Sequence, residues 1–99
     1  MNYIPNIIIN RIKPTVSYDS FVFYERHEYH FPNGYGASVI CNPFSYGLEL
    51  SVLKFSDKQW RLCYTSPITD DVVGHIGGED ELKILLTAIY NLPVDEDGW

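Results

Sequence analysis

Basic residues are scarce in this sequence and almost missing from its last third. Seven Lys and Arg stand against thirteen Asp and Glu in 99 residues, which gives a net charge of −6 at pH 7. Residues 66–99 hold eight of the acids and one base, Lys83. Because proteins that bind nucleic-acid phosphates carry a basic patch, this pattern argues against direct nucleic-acid binding. It predicts an anionic surface near the C-terminus, which either keeps the protein in solution or faces a basic partner.

Cysteine is also scarce, since the chain contains only Cys41 and Cys63. Both lie in apolar, strand-like runs, "ASVICN" and "WRLCYT". Two isolated cysteines do not make a zinc site, and no secretory signal supports a disulfide. We expect two buried thiols in a reducing compartment, with a disulfide between neighbouring strands as the alternative.

Long apolar runs are missing. No stretch approaches the roughly 18 residues of a membrane span, and the start "MNYIPNIIINRIKP" lacks the basic leader and cleavage site of an exported protein. We therefore expect a cytoplasmic protein without membrane contact. The length favours one domain over residues 1–99, in which 93–99 form a mobile acidic tail.

Short β-branched and aromatic runs dominate the first two thirds of the chain, and turn residues separate them. They predict an antiparallel meander of about four or five strands, whose first strand lies near residues 6–12 and is ended by Pro14. In "SFVFYERHEYHF" one strand face carries Phe21, Phe23, Glu25, His27, Tyr29 and Phe31, and this face is the expected inner one at its two ends. The following "FPNGY" predicts a hairpin turn with Gly34 at positive φ. Further strands are expected in "YGASVICN", "LELSVLKF" and "WRLCYT".

A helix is predicted in "EDELKILLTAIYNL". Leu82, Leu85, Leu86 and Ile89 follow the spacing of one helical face. The acids Glu79, Asp80 and Glu81 fall in the first turn, where the helix dipole favours negative charge, and Pro93 ends the helix. The predicted fold class is therefore α+β, a β-meander with one C-terminal helix packed on a sheet face.

The stretch "PITDDVVGHIGG" combines two carboxylates, Asp70 and Asp71, with His75. A histidine oriented by an acid is a possible general base, but the sequence offers no nucleophile motif and no phosphate-binding loop. Turn formation explains more of the same residues, because Pro67 ends a strand, Thr69 or Asp70 can cap or close a turn, and the glycines bend the chain. We interpret the stretch as a structural crossing from sheet to helix, and predict no catalytic residues and no cofactor.

His27 and His30 form an H-x-x-H pair that resembles a metal motif. On a strand, residues three apart point to opposite faces, so one metal ion cannot reach both side chains. We predict no metal site here.

The runs "YERHEYHFPNGYGASVI", "SYGLELSVL" and "LCYTSPITDDVVGHI" resemble a type of small bacteriophage protein without an established activity. That type shares an "FPNGYGASV" hairpin, an "LAVL" strand and an "LCYDTPITDDVIG" segment before a Leu-rich terminal helix. The resemblance covers about residues 24–92 and implies a phage origin, hence the cytoplasm of a bacterial host. This chain departs from the pattern in its short "NPFSYGLEL" turn, and in Thr65 and Ser66 where an acid is expected.

The sequence thus predicts a non-enzymatic module that binds and modulates a host or phage protein, and a homodimer is compatible with it. The alternatives are a small hydrolase or ligand-binding domain that uses residues 70–79, and a structural or assembly accessory protein. The anionic last third would face a basic partner, with Tyr46, Trp60, Tyr90 and Trp99 as aromatic anchors. The candidate interaction surface consists of Asp70, Asp71, His75, Glu79, Asp80, Glu81 and Trp99.

Overall fold

A computed structural model describes residues 4–19, 24–41, 47–63 and 72–94, which form six strands and one helix. The strands are β1 (Thr15–Asp19), β2 (Tyr24–His30), β3 (Tyr35–Cys41), β4 (Leu48–Ser56), β5 (Gln59–Leu62) and β6 (Val72–Val73), and the helix is α1 (Glu79–Tyr90). The first five strands pair antiparallel in sequence order, and β6 pairs antiparallel with β4. The predicted α+β meander with a C-terminal helix is confirmed.

One edge of β4 is shared by two strands. β5 pairs with residues 53–56 of β4, and β6 pairs with Leu50 and Ser51. The described part of the crossing predicted in "PITDDVVGHIGG", residues 72–78, therefore also contributes the strand β6 to the sheet. Ile76, which follows β6, is buried and donates its N–H to the carbonyl of Leu48 at 3.0 Å.

The predicted first strand near residues 6–12 is wrong. Ile9 and Ile12 exchange two backbone hydrogen bonds across a tight reversal, in which Asn10 and Arg11 have φ of 45° and 69°. The chain turns back before a longer ladder can form, and the first strand of the sheet, β1, begins only after Pro14. Burial nevertheless alternates along this segment, because Ile7 and Ile9 are buried whereas Ile8 is exposed.

The hairpin turn between β2 and β3 forms as predicted. Gly34 has φ of 86° and donates its N–H to the carbonyl of Phe31 at 3.3 Å. The N–H of Phe31 in turn donates to the carbonyl of Tyr35 at 2.9 Å. This is a β-turn followed by a left-handed residue, a geometry that glycine adopts without steric strain.

The core lies between one face of the sheet and α1. The sheet contributes a block of fully buried side chains, namely Tyr29, Ala37, Val39, Leu50 and Val52. Leu82, Leu86 and Ile89 of α1 are buried against them, and Leu85 is partly buried at the border, so the predicted helical face is confirmed. Cys63 is buried and Cys41 is half-buried, and both are thiols.

Tyr29 fastens the N-terminal segment to the core. Its hydroxyl donates a 2.6 Å hydrogen bond to the carbonyl of Ile7, and the whole residue is inaccessible to solvent. Burial raises the pKa of Tyr29 to about 12, because the phenolate would be desolvated. The phenol is therefore neutral over the physiological pH range.

Candidate functional site

The first turn of α1 contains three acidic residues, and one of them has a structural role. Glu79, Asp80 and Glu81 are all exposed in the first turn. The carboxylate of Glu81 accepts a 2.6 Å hydrogen bond from the N–H of Gly77, just before the helix begins. This contact fixes the backbone just before the first turn of the helix, much as the acid of a capping box does. Glu79 and Asp80 are thus the carboxylates of this turn best placed to meet a partner.

The solvent-facing side of α1 combines these acids with exposed apolar groups. One shallow depression is lined by Asp80, Lys83, Ile84 and Thr87. A second depression shares Asp80 and Lys83, and extends across Glu79 to Asn6, Ile7 and Ile8 of the N-terminal segment. Ile84 is 68% exposed and Ile8 is 50% exposed. We call this continuous area the helix surface, which consists of Ile8, Glu79, Asp80, Lys83, Ile84 and Thr87.

The helix surface contains only part of the site predicted from the sequence. His75 is exposed in the connection between β6 and α1, with φ of 54°, and its backbone lies beside Gly47 at the start of β4. Asp70, Asp71 and Trp99 lie outside the described residues, so the interpretation of "PITDDVVGHIGG" as structural stays a prediction for its two carboxylates. Ile8 and Ile84 were not predicted as site residues.

The two histidines of the H-x-x-H pair point to opposite faces of β2, as predicted. His27 is buried on the core side, with its Nε2 3.4 Å from a carboxylate oxygen of Glu25. His30 is exposed on the other side and its Nε2 lies 2.9 Å from the carboxylate of Glu28. Within residues 4–19, 24–41, 47–63 and 72–94, no group of three or more His, Cys, Asp or Glu side chains is arranged to hold a metal ion.

Trp60 lies on the sheet face opposite α1. Its ring stacks on His30, with a centroid separation of 4.1 Å and an angle of 2° between the planes. Gly36 lies next to the Trp60 ring. A Cβ at this position would lie 2.1 Å from the carbonyl oxygen of Tyr29 and 3.2 Å from the Trp60 ring, so the close approach requires glycine. Since Trp60 and α1 are on opposite faces, Trp60 does not extend the helix surface.

Tyr90, the other predicted aromatic anchor within the described residues, does not extend the helix surface either. Tyr90 is half-buried, packs edge-on against Phe31 with ring centroids 5.5 Å apart, and accepts a hydrogen bond from the side chain of Asn10. Tyr46 and Trp99 are outside the described part of the chain. In the described part, the apolar contribution to this surface comes from isoleucine.

Comparison with known proteins adds no further assignment. No protein-family model matches the chain, and neither the curated proteins nor the solved structures compared with it give a significant match. Among the residues that the structure describes, no helix is long and apolar enough to cross a membrane.

Proposed function

We propose that this chain is a small accessory protein that binds another protein through the helix surface and modulates it. The observation that carries the proposal is the pair Ile84 and Asp80, an exposed aliphatic side chain beside an exposed carboxylate on one helix face. An apolar contact surrounded by charged groups is the usual organisation of a protein interface. The fitting partner presents an apolar pocket for Ile84 and basic side chains around it.

Charge supports the same assignment. The last third of the chain is strongly anionic, and Lys83 is its single base. An anionic surface accelerates the encounter with a basic partner and repels acidic ones, whereas the apolar contact retains the partner after the encounter. The two parts of the helix surface therefore have separable effects on association and dissociation rates.

The proposal includes a phage origin and action in the cytoplasm of a bacterial host. The resemblance of "FPNGYGASV" and "PITDDVVG" to segments of a phage protein type supports the origin. The cytoplasmic location rests on the same resemblance and on two cysteines that are both thiols.

The test begins with affinity capture from host cells and continues with the purified partner. Ile84→Ser should speed dissociation at least tenfold, because it removes the apolar contact while leaving the charge unchanged. The combined change Glu79→Gln and Asp80→Asn should mainly slow association and flatten its dependence on salt between about 50 and 500 mM. Glu81 is left unchanged because its carboxylate holds the entry to the helix.

The matched control is Val94→Ser, which alters another exposed aliphatic residue, 59% exposed against 68% for Ile84, outside the helix surface. It should leave both rates unchanged. Binding that is insensitive to Ile84→Ser and to salt would remove the ground for this assignment. Turnover of a substrate that is lost in His75→Ala, with the fold intact, would favour the hydrolase instead.

A further inference from the structure

A groove crosses the sheet face opposite α1. Its floor contains Ser38 of β3 and Ser51 of β4, which are direct partners across the two strands. Larger side chains of β2 and β5 form its two walls. Because the serines are small, the groove holds about 270 Å³ of open space. Typical ligand sites hold roughly 300 to 1,000 Å³, so this groove suits a molecule of few atoms.

The two walls of the groove differ in polarity. The β2 wall carries both signs of charge, because Arg26 and Glu28 are two residues apart on one strand and therefore lie on the same face. The β5 wall is apolar and consists of Leu62, which is 50% exposed, and the Trp60 ring, with the buried Leu53 beside them. We call these the charged wall and the apolar wall. A ligand lying across the strands meets charged groups at one end and apolar groups at the other.

The two charges of the charged wall do not neutralise each other. Positions two apart on a strand are separated by about 6.5 Å, and no ion pair among the described residues includes Arg26. Glu28 instead contacts His30, whose Nε2 lies 2.9 Å from the carboxylate Oε2. A carboxylate has lone pairs for several donors, so Glu28 retains the capacity to bind a cationic group. A molecule that carries both an ammonium and a carboxylate can bridge Arg26 and Glu28.

His30 connects the two walls at one end of the groove. It contacts Glu28 through Nε2, and its ring stacks on Trp60 with a centroid separation of 4.1 Å. Gly36 allows the Trp60 ring to approach the sheet closely, since a Cβ at this position would lie 3.2 Å from it. Groups that are ordered before binding lose less conformational freedom when a ligand arrives. The groove is therefore partly organised for a ligand.

We propose that the groove binds a free amino acid, a zwitterion with an aliphatic side chain. The guanidinium of Arg26 binds the carboxylate of the ligand, and the carboxylate of Glu28 binds its ammonium group. The hydroxyls of Ser38 and Ser51 lie between the walls, where each can donate or accept a hydrogen bond. The aliphatic side chain packs against the apolar wall, from which it displaces water.

Ligands with a single charge are poorer complements to this groove. An anion is attracted by Arg26 but repelled by Glu28, and a cation meets the reverse arrangement. A zwitterion has a favourable contact with both. The groove and the helix surface lie on different sides of the molecule, so this proposal does not depend on the proposed function.

Trp60 provides a direct measurement of binding. The chain contains two tryptophans, so Trp99→Phe leaves Trp60 as the single tryptophan. L-Leucine is the probe, and the emission of Trp60 should change saturably between about 10 µM and 10 mM ligand. Nuclear magnetic resonance locates the site in the parent chain. The amide signals of Ser38 and Ser51 should shift on addition of leucine, whereas those of α1 should not.

Analogues of leucine test each charge without altering the protein. 3-Methylbutylamine lacks the carboxylate and 4-methylpentanoate lacks the ammonium group, and each should bind at least tenfold more weakly than leucine. N-Acetyl-leucinamide lacks both charges and should not bind over the same concentrations. Glycine keeps both charges but should also bind more weakly, because it makes no contact with the apolar wall.

Two substitutions assign the charges to residues. Arg26→Gln should weaken leucine binding at least tenfold and abolish the advantage of leucine over 3-methylbutylamine. Glu28→Gln should do the same for the advantage over 4-methylpentanoate, and its amide oxygen can still accept a hydrogen bond from His30. The matched control is Arg61→Gln, at an exposed arginine of β5 that does not line the groove, and it should leave binding unchanged. Circular dichroism verifies the fold of every variant.

Three results would overturn the proposal. Leucine that produces neither a saturable change in emission nor amide shifts at Ser38 and Ser51 does not occupy the groove. A singly charged or uncharged analogue that binds as tightly as leucine excludes recognition of a zwitterion. Unchanged leucine affinity in both Arg26→Gln and Glu28→Gln excludes the charged wall as the binding group. None of these results bears on binding through the helix surface.

Discussion

The side-chain amide of Asn33, at the tip of the β2–β3 hairpin, donates a 2.8 Å hydrogen bond to the carbonyl of Ile89 in the last turn of α1. The same nitrogen lies 3.0 Å from the carbonyls of Tyr90 and Leu92, and the amide oxygen accepts the N–H of Tyr35 at 3.0 Å. The last carbonyls of a helix have no partners within it, and the last turn of α1 has no basic residue. A buried residue distant in sequence thus completes the end of the helix.

Replacing Asn33 by Asp should lower the free energy of unfolding by about 2 to 4 kcal/mol, because a carboxylate would face carbonyl oxygens at the negative end of the helix. Asn33→Ala should have a smaller effect of about 1 to 3 kcal/mol. Urea denaturation measures both values. Asn91→Ala, at an exposed amide in the same region, serves as the control and should be near neutral. Equal stability of Asn33→Asp and the parent chain would contradict the role assigned to this side chain.

Gly34→Ala should destabilise the protein by about 1 kcal/mol or more, because Gly34 has φ of 86° and alanine is strained there. The thermal unfolding midpoint provides the measurement. An unchanged midpoint is incompatible with the turn geometry described above.

Lys58→Gly should have the opposite effect. Asp57 and Lys58 form the turn between β4 and β5 with φ of 52° and 64°, a left-handed conformation that favours glycine at the second position. Removing the strain should stabilise the protein by roughly 0.5 to 1 kcal/mol, after the extra freedom of glycine in the unfolded chain is subtracted. Gln59→Gly, one residue later in β5, is the matched control and should destabilise. A loss of stability in Lys58→Gly would show that its side chain contributes more than its backbone strain removes.

The raised pKa of Tyr29 predicts a specific alkaline sensitivity. The folded chain holds the phenol proton up to about pH 12, whereas the unfolded chain releases it near 10. Between these values the folded state binds more protons, so stability should fall as the pH rises through this window and be fully present below it. Tyr29→Phe should lose about 1 to 2 kcal/mol at neutral pH, because the carbonyl of Ile7 loses its donor. The stability difference between the two proteins should therefore shrink above pH 10, and a constant difference would argue against the assignment.

The regular parts of the fold were predictable because their signals are local. The turn at Gly34 depends on adjacent residues, and the buried stripe of α1 on a fixed spacing. The strand expected near residues 6–12 failed because β-branched residues indicate burial, and Ile7 and Ile9 are buried without joining the sheet. The role of Asn33 could not be predicted, since "FPNGY" explains the asparagine as a turn residue and its second task depends on a helix end far away in sequence.

The helix surface was predicted in part. The charge pattern predicted Glu79, Asp80 and Glu81 as surface residues. Only the structure shows that Glu81 differs from the other two, because its carboxylate accepts a hydrogen bond from the Gly77 N–H. Ile84 was detectable in principle, because it lies off the stripe formed by Leu82, Leu86 and Ile89. The contribution of Ile8 could not be predicted, since it depends on the N-terminal segment lying beside α1.

The β2–β3 hairpin is connected to segments near both ends of the described chain, in each case by hydrogen bonds from one side chain. Tyr29 bonds to Ile7, 22 residues earlier, and Asn33 bonds to Ile89, 56 residues later. A hairpin with a short turn closes faster than contacts between segments far apart in sequence, so we expect these two attachments to form after the hairpin. The same dependence should appear in native-state hydrogen exchange, where backbone amides of β2 and β3 exchange through global unfolding and those of the last turn of α1 exchange through smaller openings. We therefore expect the hairpin in the middle of the chain to form early and to open last, whereas the last turn of α1 opens at a lower cost in free energy.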